Sequence, residues 1–71
     1  MIKCHLSKIM GERKLKISDV SIATGINRGT ITRLYKETAT RVDLDVIDKL
    51  CEFFECKISD LFEFSSSKSQ K

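Results

Sequence analysis

Seventy-one residues with 13 Lys/Arg against 10 Asp/Glu, three cysteines and no proline leave room for one small domain and no second one. No stretch approaches the roughly 18 apolar residues of a membrane span, and Lys3, His5 and Lys8 within the first ten positions speak against a secretory leader. An odd number of cysteines without secretory context speaks against a disulfide scaffold, so Cys4, Cys51 and Cys56 are expected to be free thiols in a reducing cytoplasm.

In chain order, Met1 to Cys4 is predicted extended, because Ile2, Cys4 and Leu6 alternate with polar residues. A first helix is predicted over His5–Arg13, with Leu6, Ile9 and Met10 inward. A second is predicted over Ser18–Thr24, capped by Ser18 and closed by Gly25, which takes a left-handed turn at no steric cost. A third runs over Arg28–Glu37, capped by Asn27 and burying Ile31 and Leu34, with Tyr35 expected against the fourth helix. The loop Thr38–Arg41 follows. The fourth helix, Leu44–Phe54, spaces Ile47, Leu50, Cys51 and Phe54 as one apolar face. A short fifth helix is predicted over Asp60–Phe64, which closes the domain at 1–64 and leaves 65–71 as a disordered polar tail.

Three of these starts share a device: an apolar residue, a capping polar residue, and a second apolar residue four positions into the helix. Ile17-Ser18 with Ile22, Ile26-Asn27 with Ile31, and Val42-Asp43 with Ile47 are expected to act as hydrophobic staples, and Ile58-Ser59 offers a fourth cap.

Charge is unevenly spread. Residues 1–41 hold nine Lys/Arg and three Asp/Glu, whereas residues 42–64 hold two and seven. A polyanion is drawn to the first part and repelled by the second. The second part also carries more apolar surface than so small a domain readily covers, in Val46, Phe53, Leu61, Phe62 and Phe64. Either the fifth helix folds back over the fourth, or this surface meets another subunit; aromatic residues this near a terminus favour the subunit interface.

The stretch from Ile17 to Leu34 concentrates the functional signal. Two short helices hinge at Gly25, with Val20, Ile26, Ile31 and Leu34 apolar and Ser21 small where the helices cross. This is helix-turn-helix spacing, which lays its second helix in the major groove of DNA. It resembles the reading heads of Cro/C1-type (Xre) regulators and of LacI-type repressors, and the resemblance to the first covers about residues 5–63. It implies an all-α, five-helix, lambda repressor-like domain whose second and third helices form the helix-turn-helix. The implied function is sequence-specific recognition of double-stranded DNA by a cytoplasmic transcription regulator, acting as a homodimer and without a cofactor. Stand-alone heads of this kind act as repressors, or as activators that touch RNA polymerase or another regulator. Overall similarity also extends to small regulators of vancomycin-resistance operons.

Side-chain chemistry then distributes the roles. Opposite Ile31 and Leu34 lie Arg28, Gly29, Thr32 and Arg33, expected at base edges: arginine pairs bidentately with guanine and the threonine methyl meets that of thymine. Phosphate contacts are expected from Ser18, Asn27, Lys36, Thr38, Thr40 and Arg41. Two positions depart from the family pattern. Ser18 and Asp19 stand where a phosphate-touching glutamine is usual, and Gly29 stands where a side chain usually reads a base, which can let the backbone approach closely.

His5 has no catalytic neighbours, and no nucleophile triad, carboxylate cleft or phosphate-binding glycine loop is present, so no enzyme is expected. The spacing of Cys4, His5, Cys51 and Cys56 is too loose for a zinc site. Two rival readings remain: an antitoxin on the same fold, and a protein–protein module that uses the apolar C-terminal third.

Overall fold

Twice the chain writes Lys-Ile-Ser-Asp, at 16–19 and at 57–60, and twice a helix begins there. In the computed structural model, which describes residues 1–66, the lysine stands just outside the helix in extended conformation, with ψ of 164° and 162°. The aspartate three positions on accepts that lysine's backbone N–H, at 2.9 Å for Asp19 and 3.0 Å for Asp60. A carboxylate here also meets the positive end of the helix dipole. Ser18 and Ser59 therefore lie inside their helices and do not cap them, a correction to the sequence reading: the aspartate reaches back to the orphan amide. Asp19→Ala and Asp60→Ala are each expected to lower stability by about 0.5–1 kcal/mol, with Ser18→Ala near neutral. Urea midpoints decide it; a larger loss from Ser18→Ala than from Asp19→Ala would move the cap back to the serine.

The elements in order are β1 (Ile2–Cys4), α1 (Leu6–Glu12), α2 (Ile17–Thr24), α3 (Arg28–Tyr35), α4 (Leu44–Phe54), α5 (Ile58–Leu61) and β2 (Phe62–Phe64). Five helices surround one core of Cys4, Leu6, Met10, Val20, Ile26, Ile31, Leu34, Leu50, Phe54 and Leu61. Every helix contributes to it, which is why such short helices hold. The staple at Ile26 and Ile31 closes, both being buried, and Val42 and Ile47 are half-buried. The staple at Ile22 does not form, since that side chain is 80% exposed.

The fifth helix ends at Leu61, three residues before its expected end. Phe62-Glu63-Phe64 runs extended and pairs antiparallel with β1, in the register Ile2↔Phe64, Lys3↔Glu63 and Cys4↔Phe62. Alternation explains it: Phe62 and Phe64 fall on one face with Glu63 on the other, a strand pattern. The extended N-terminal segment also needs a partner for its amides. The ladder continues to Ser65, whose N–H donates to the Met1 carbonyl at 2.8 Å while the terminal ammonium donates to the Ser65 carbonyl at 2.7 Å. Of the tail expected to be disordered, residues 67–71 lie outside the described residues.

Arg13 ties the end of α1 to the end of α4. Its guanidinium donates to the Phe54 carbonyl at 2.7 Å and lies 5.2 Å from the centre of the Phe54 ring. The Cys4 amide donates to the Glu37 carboxylate at 3.2 Å, joining β1 to the segment after α3. All three cysteines are free thiols. Burial raises the Cys4 thiol above its ordinary range, against a Leu6 backbone hydrogen bond that acts the other way. Burial and then the neighbouring Cys51 thiol raise Cys56. Cys4 and Cys56 thus stay protonated near neutral pH. Among the described residues, no group of three His, Cys, Asp or Glu is placed to hold a metal, and no helix is long and apolar enough to cross a membrane.

Candidate nucleic-acid interface

The hinge between α2 and α3 is held by side chains that turn back on the backbone. Gly25 adopts φ +77°, a left-handed value that a Cβ would strain. The Ser21 hydroxyl donates to the Ile26 carbonyl at 2.6 Å. The Thr24 hydroxyl donates to the Val20 carbonyl at 2.6 Å and accepts from the Ile26 amide at 3.2 Å. Ser21 is thus small enough for the crossing and also bonded across it. Asn27 then caps α3 as expected, its side-chain oxygen accepting from the Gly29 amide at 2.7 Å.

With Ile31 and Leu34 buried, α3 turns Arg28, Arg33 and Lys36 fully outward and Thr32 partly so. Gly29 has a local role that sequence spacing does not reveal. A Cβ there would lie 2.9 Å from Asn27 Oδ1 and 3.4 Å from Arg33 Nη1. The missing side chain therefore leaves room for the capping oxygen and lets the Arg33 guanidinium fold back over the first turn of α3.

Helix α3 ends at Tyr35, two residues before the expected end. Glu37 enters the left-handed region at φ 58°, and the Thr38 and Ala39 amides donate to the Arg33 carbonyl at 2.9 and 3.3 Å. The chain thereby turns back beside the helix it has left. Thr30 and Arg33 of α3 face Thr38, Thr40 and Arg41 of the loop across a groove of about 330 Å³. Four of the expected site residues meet in that groove: Arg33, Thr38, Thr40 and Arg41. Thr30, to which the sequence reading gave no site role, joins them; its position three before Arg33 on one helix is the signal that points there. Asn27 and Arg28 stand at the N-terminal end of α3, and Lys36 at its C-terminal end. Ser18 is half-buried in the first turn of α2, outside the groove. Tyr35 is 40% exposed and lies outside the buried core.

The cations of this face are unengaged. Among the described residues the ion pairs are His5–Glu63 at 2.8 Å and Lys49–Asp45 at 3.3 Å; neither draws on Arg28, Arg33, Lys36 or Arg41. Exposed carboxylates cluster on α4 and its cap at Asp45, Asp48, Glu52 and Glu55, and Asp43 is the carboxylate that lines the groove itself. Bidentate donors, hydroxyls and free ammonium on one face, without carboxylate partners, suit a backbone of phosphates.

A family model of the Cro/C1-type helix-turn-helix DNA-binding domain matches residues 5–67. The chain is also 22% identical, over 64 residues, to a Bacillus subtilis (strain 168) protein described as the uncharacterized HTH-type transcriptional regulator YozG. That match spans 90% of this chain and 76% of the other.

Proposed function

The chain belongs to the Cro/C1-type helix-turn-helix DNA-binding domain family, and from that premise we propose that it is a cytoplasmic transcription regulator that binds a specific duplex sequence as a homodimer through the major groove. The observation that carries this reading is the fixed hinge, which presents α3 with four cations on and beside its outer face that have no ion-pair partner among the described residues.

In this reading Arg28 and Thr32 meet base edges, and Gly29 lets the α3 backbone come close to the groove floor. Arg33 lies between the first turn of α3 and the loop, so its guanidinium has a base edge on one side and a phosphate on the other within its swing. Asn27, Lys36, Thr38, Thr40, Arg41 and Ser18 grip the backbone and set the register. Phosphate contacts position the head and base contacts give it sequence preference. Catalysis has no part in this function, and the double-stranded DNA is the ligand.

Binding is expected to weaken steeply with salt. Neutralising roughly four phosphates per head gives a slope of about −4 in log K against log salt for each head bound. A titration of the full chain against a random duplex pool, begun at about 50 mM salt, measures this. Absence of binding to any pool member would sink the reading, and a flat salt dependence would remove the proposed grip.

A further inference from the structure

We propose that the partner subunit seats in an apolar groove between the two-stranded sheet and the start of α4; this rests on the homodimer reading above and adds where the second copy sits. The groove holds about 400 Å³ and is walled by Ile2 of β1, Phe62 of β2, Ile47 of α4, Ile58 of α5 and the Ala39–Val42 loop. Its rim is apolar as well. Phe64 is the cross-strand neighbour of Ile2, and Leu44 stands three residues before Ile47 on α4.

The sheet explains why this surface is left open. Ile2, Cys4, Phe62 and Phe64 share one face, and Lys3 and Glu63 share the other. Cys4 and Phe62 pack on the core. Ile2 and Phe64 overhang it, 62% and 68% exposed; Ile58 in the groove is 61% exposed and Leu44 at the start of α4 82%. A strand face longer than the core beneath it leaves apolar area in water without return. Large apolar side chains carry on the order of 150 Å² each. These four, with Met1 at 76% exposure, thus offer roughly 500 Å² per copy before the groove walls are added. That alone is more than half of the roughly 800 Å² per partner of a stable pair.

A second copy fits this surface better than the segment from Ser67 to Lys71 does. Ser67, Lys68, Ser69, Gln70 and Lys71 include no apolar side chain to fill the groove. A twofold axis lets one patch serve both subunits, the Ile2–Phe64 ridge of each lying in the groove of the other. The location also suits DNA binding. Ala39, Thr40, Arg41 and Val42 line both the cationic groove beside α3 and the apolar one. A partner seated here lies next to the phosphate-facing loop, so assembly and backbone contact share one segment.

The test uses the full chain. Ile58→Glu and Phe64→Glu place a charge in the groove and on its rim, and Ile22→Glu is the control, because Ile22 is also an exposed apolar residue but lies outside the groove. In sedimentation equilibrium the wild type and Ile22→Glu are expected to be dimers. The two groove variants should dissociate at least 100-fold more readily, with unchanged circular dichroism. On a symmetric selected site they should lose tenfold or more in affinity and keep wild-type affinity for an isolated half-site. As a measurement that needs no variant, methyl NMR of the wild type through a dilution series should move the Ile2 and Ile58 signals and leave Ile22 still. Dimers that persist in both folded groove variants, or dilution shifts confined away from Ile2 and Ile58, would overturn the groove and leave the homodimer reading standing. A wild type monomeric both free and on its selected site would overturn both.

Discussion

Phe54→Ala is expected to remove most of the stability of the domain. The ring is fully buried at the end of α4, in edge contact with Phe53 at 4.9 Å between centroids and 70° between planes. The Arg13 guanidinium lies 5.2 Å from the ring centre on another side. Truncating a buried phenylalanine costs about 3–5 kcal/mol, through lost transfer energy and the cavity left behind. At roughly 0.05–0.15 kcal/mol per residue, a chain of 71 residues has about 4–11 kcal/mol in total, so one substitution takes a third of it or all of it. Arg13→Ala leaves the ring in place and removes the cation and one hydrogen bond, a loss of about 1–2 kcal/mol. Urea unfolding followed by circular dichroism compares the two. A Phe54→Ala midpoint shift worth less than that of Arg13→Ala would mean that the core is centred elsewhere.

The second large effect separates reading from gripping. Arg28 stands at the first position of α3 and, in the function proposed above, meets a base edge. Arg41 stands in the loop after α3 and, in the same proposal, meets a phosphate. Losing a bidentate base contact costs about 1–3 kcal/mol at the correct base and little at the others, whereas losing a phosphate contact weakens every sequence alike and lowers the salt slope by about one. Arg28→Ala should therefore flatten the preference at one base pair of each half-site. Arg41→Ala should weaken all sites and leave preferences intact. Both residues are exposed, so folding should survive both changes. Affinities for a panel of single-base operator variants at two salt concentrations give the answer. A uniform loss from Arg28→Ala, together with a single relaxed position from Arg41→Ala, would put α3 in the wrong place.

The helical core was legible because apolar spacing is a direct image of burial. Ile31 and Leu34, and Leu50 and Phe54, sit where a 3.6-residue period puts them, and α4 begins and ends as predicted. Asn27 was legible for a similar reason: its oxygen has one amide within reach, and that amide is local. The misread features depend on competition or on distance. Ser18 and Ser59 look like caps until a carboxylate three residues from the lysine takes the same role more strongly. Phe62-Glu63-Phe64 could be placed in a short helix or a strand. The partner that decides, β1, lies about sixty residues away in sequence, where no local window reaches. The groove that gathers Arg33, Thr38, Thr40 and Arg41 needed the reversal at Glu37, a left-handed residue that is not glycine and carries no sequence signature. Gly29 read as a missing side chain, and the space it leaves became visible only with Asn27 and Arg33 in position.

The bond between Met1 and Ser65 sets an order on how the molecule comes into being. Synthesis runs from the first residue onward, so β1 is made first and waits for its partner while all five helices are made. The hydrogen bonds of the α2–α3 hinge all lie between residues 20 and 29, although both helices complete their packing only against the core they share with α1, α4 and α5. The sheet must close a loop of about sixty residues, which makes it the slow, non-local step. A nascent chain therefore has its helices before its sheet, and the groove walled by Ile2 and Phe62 does not exist until β2 has emerged. Any pairing of two copies through that surface must wait until each has been made past Phe64.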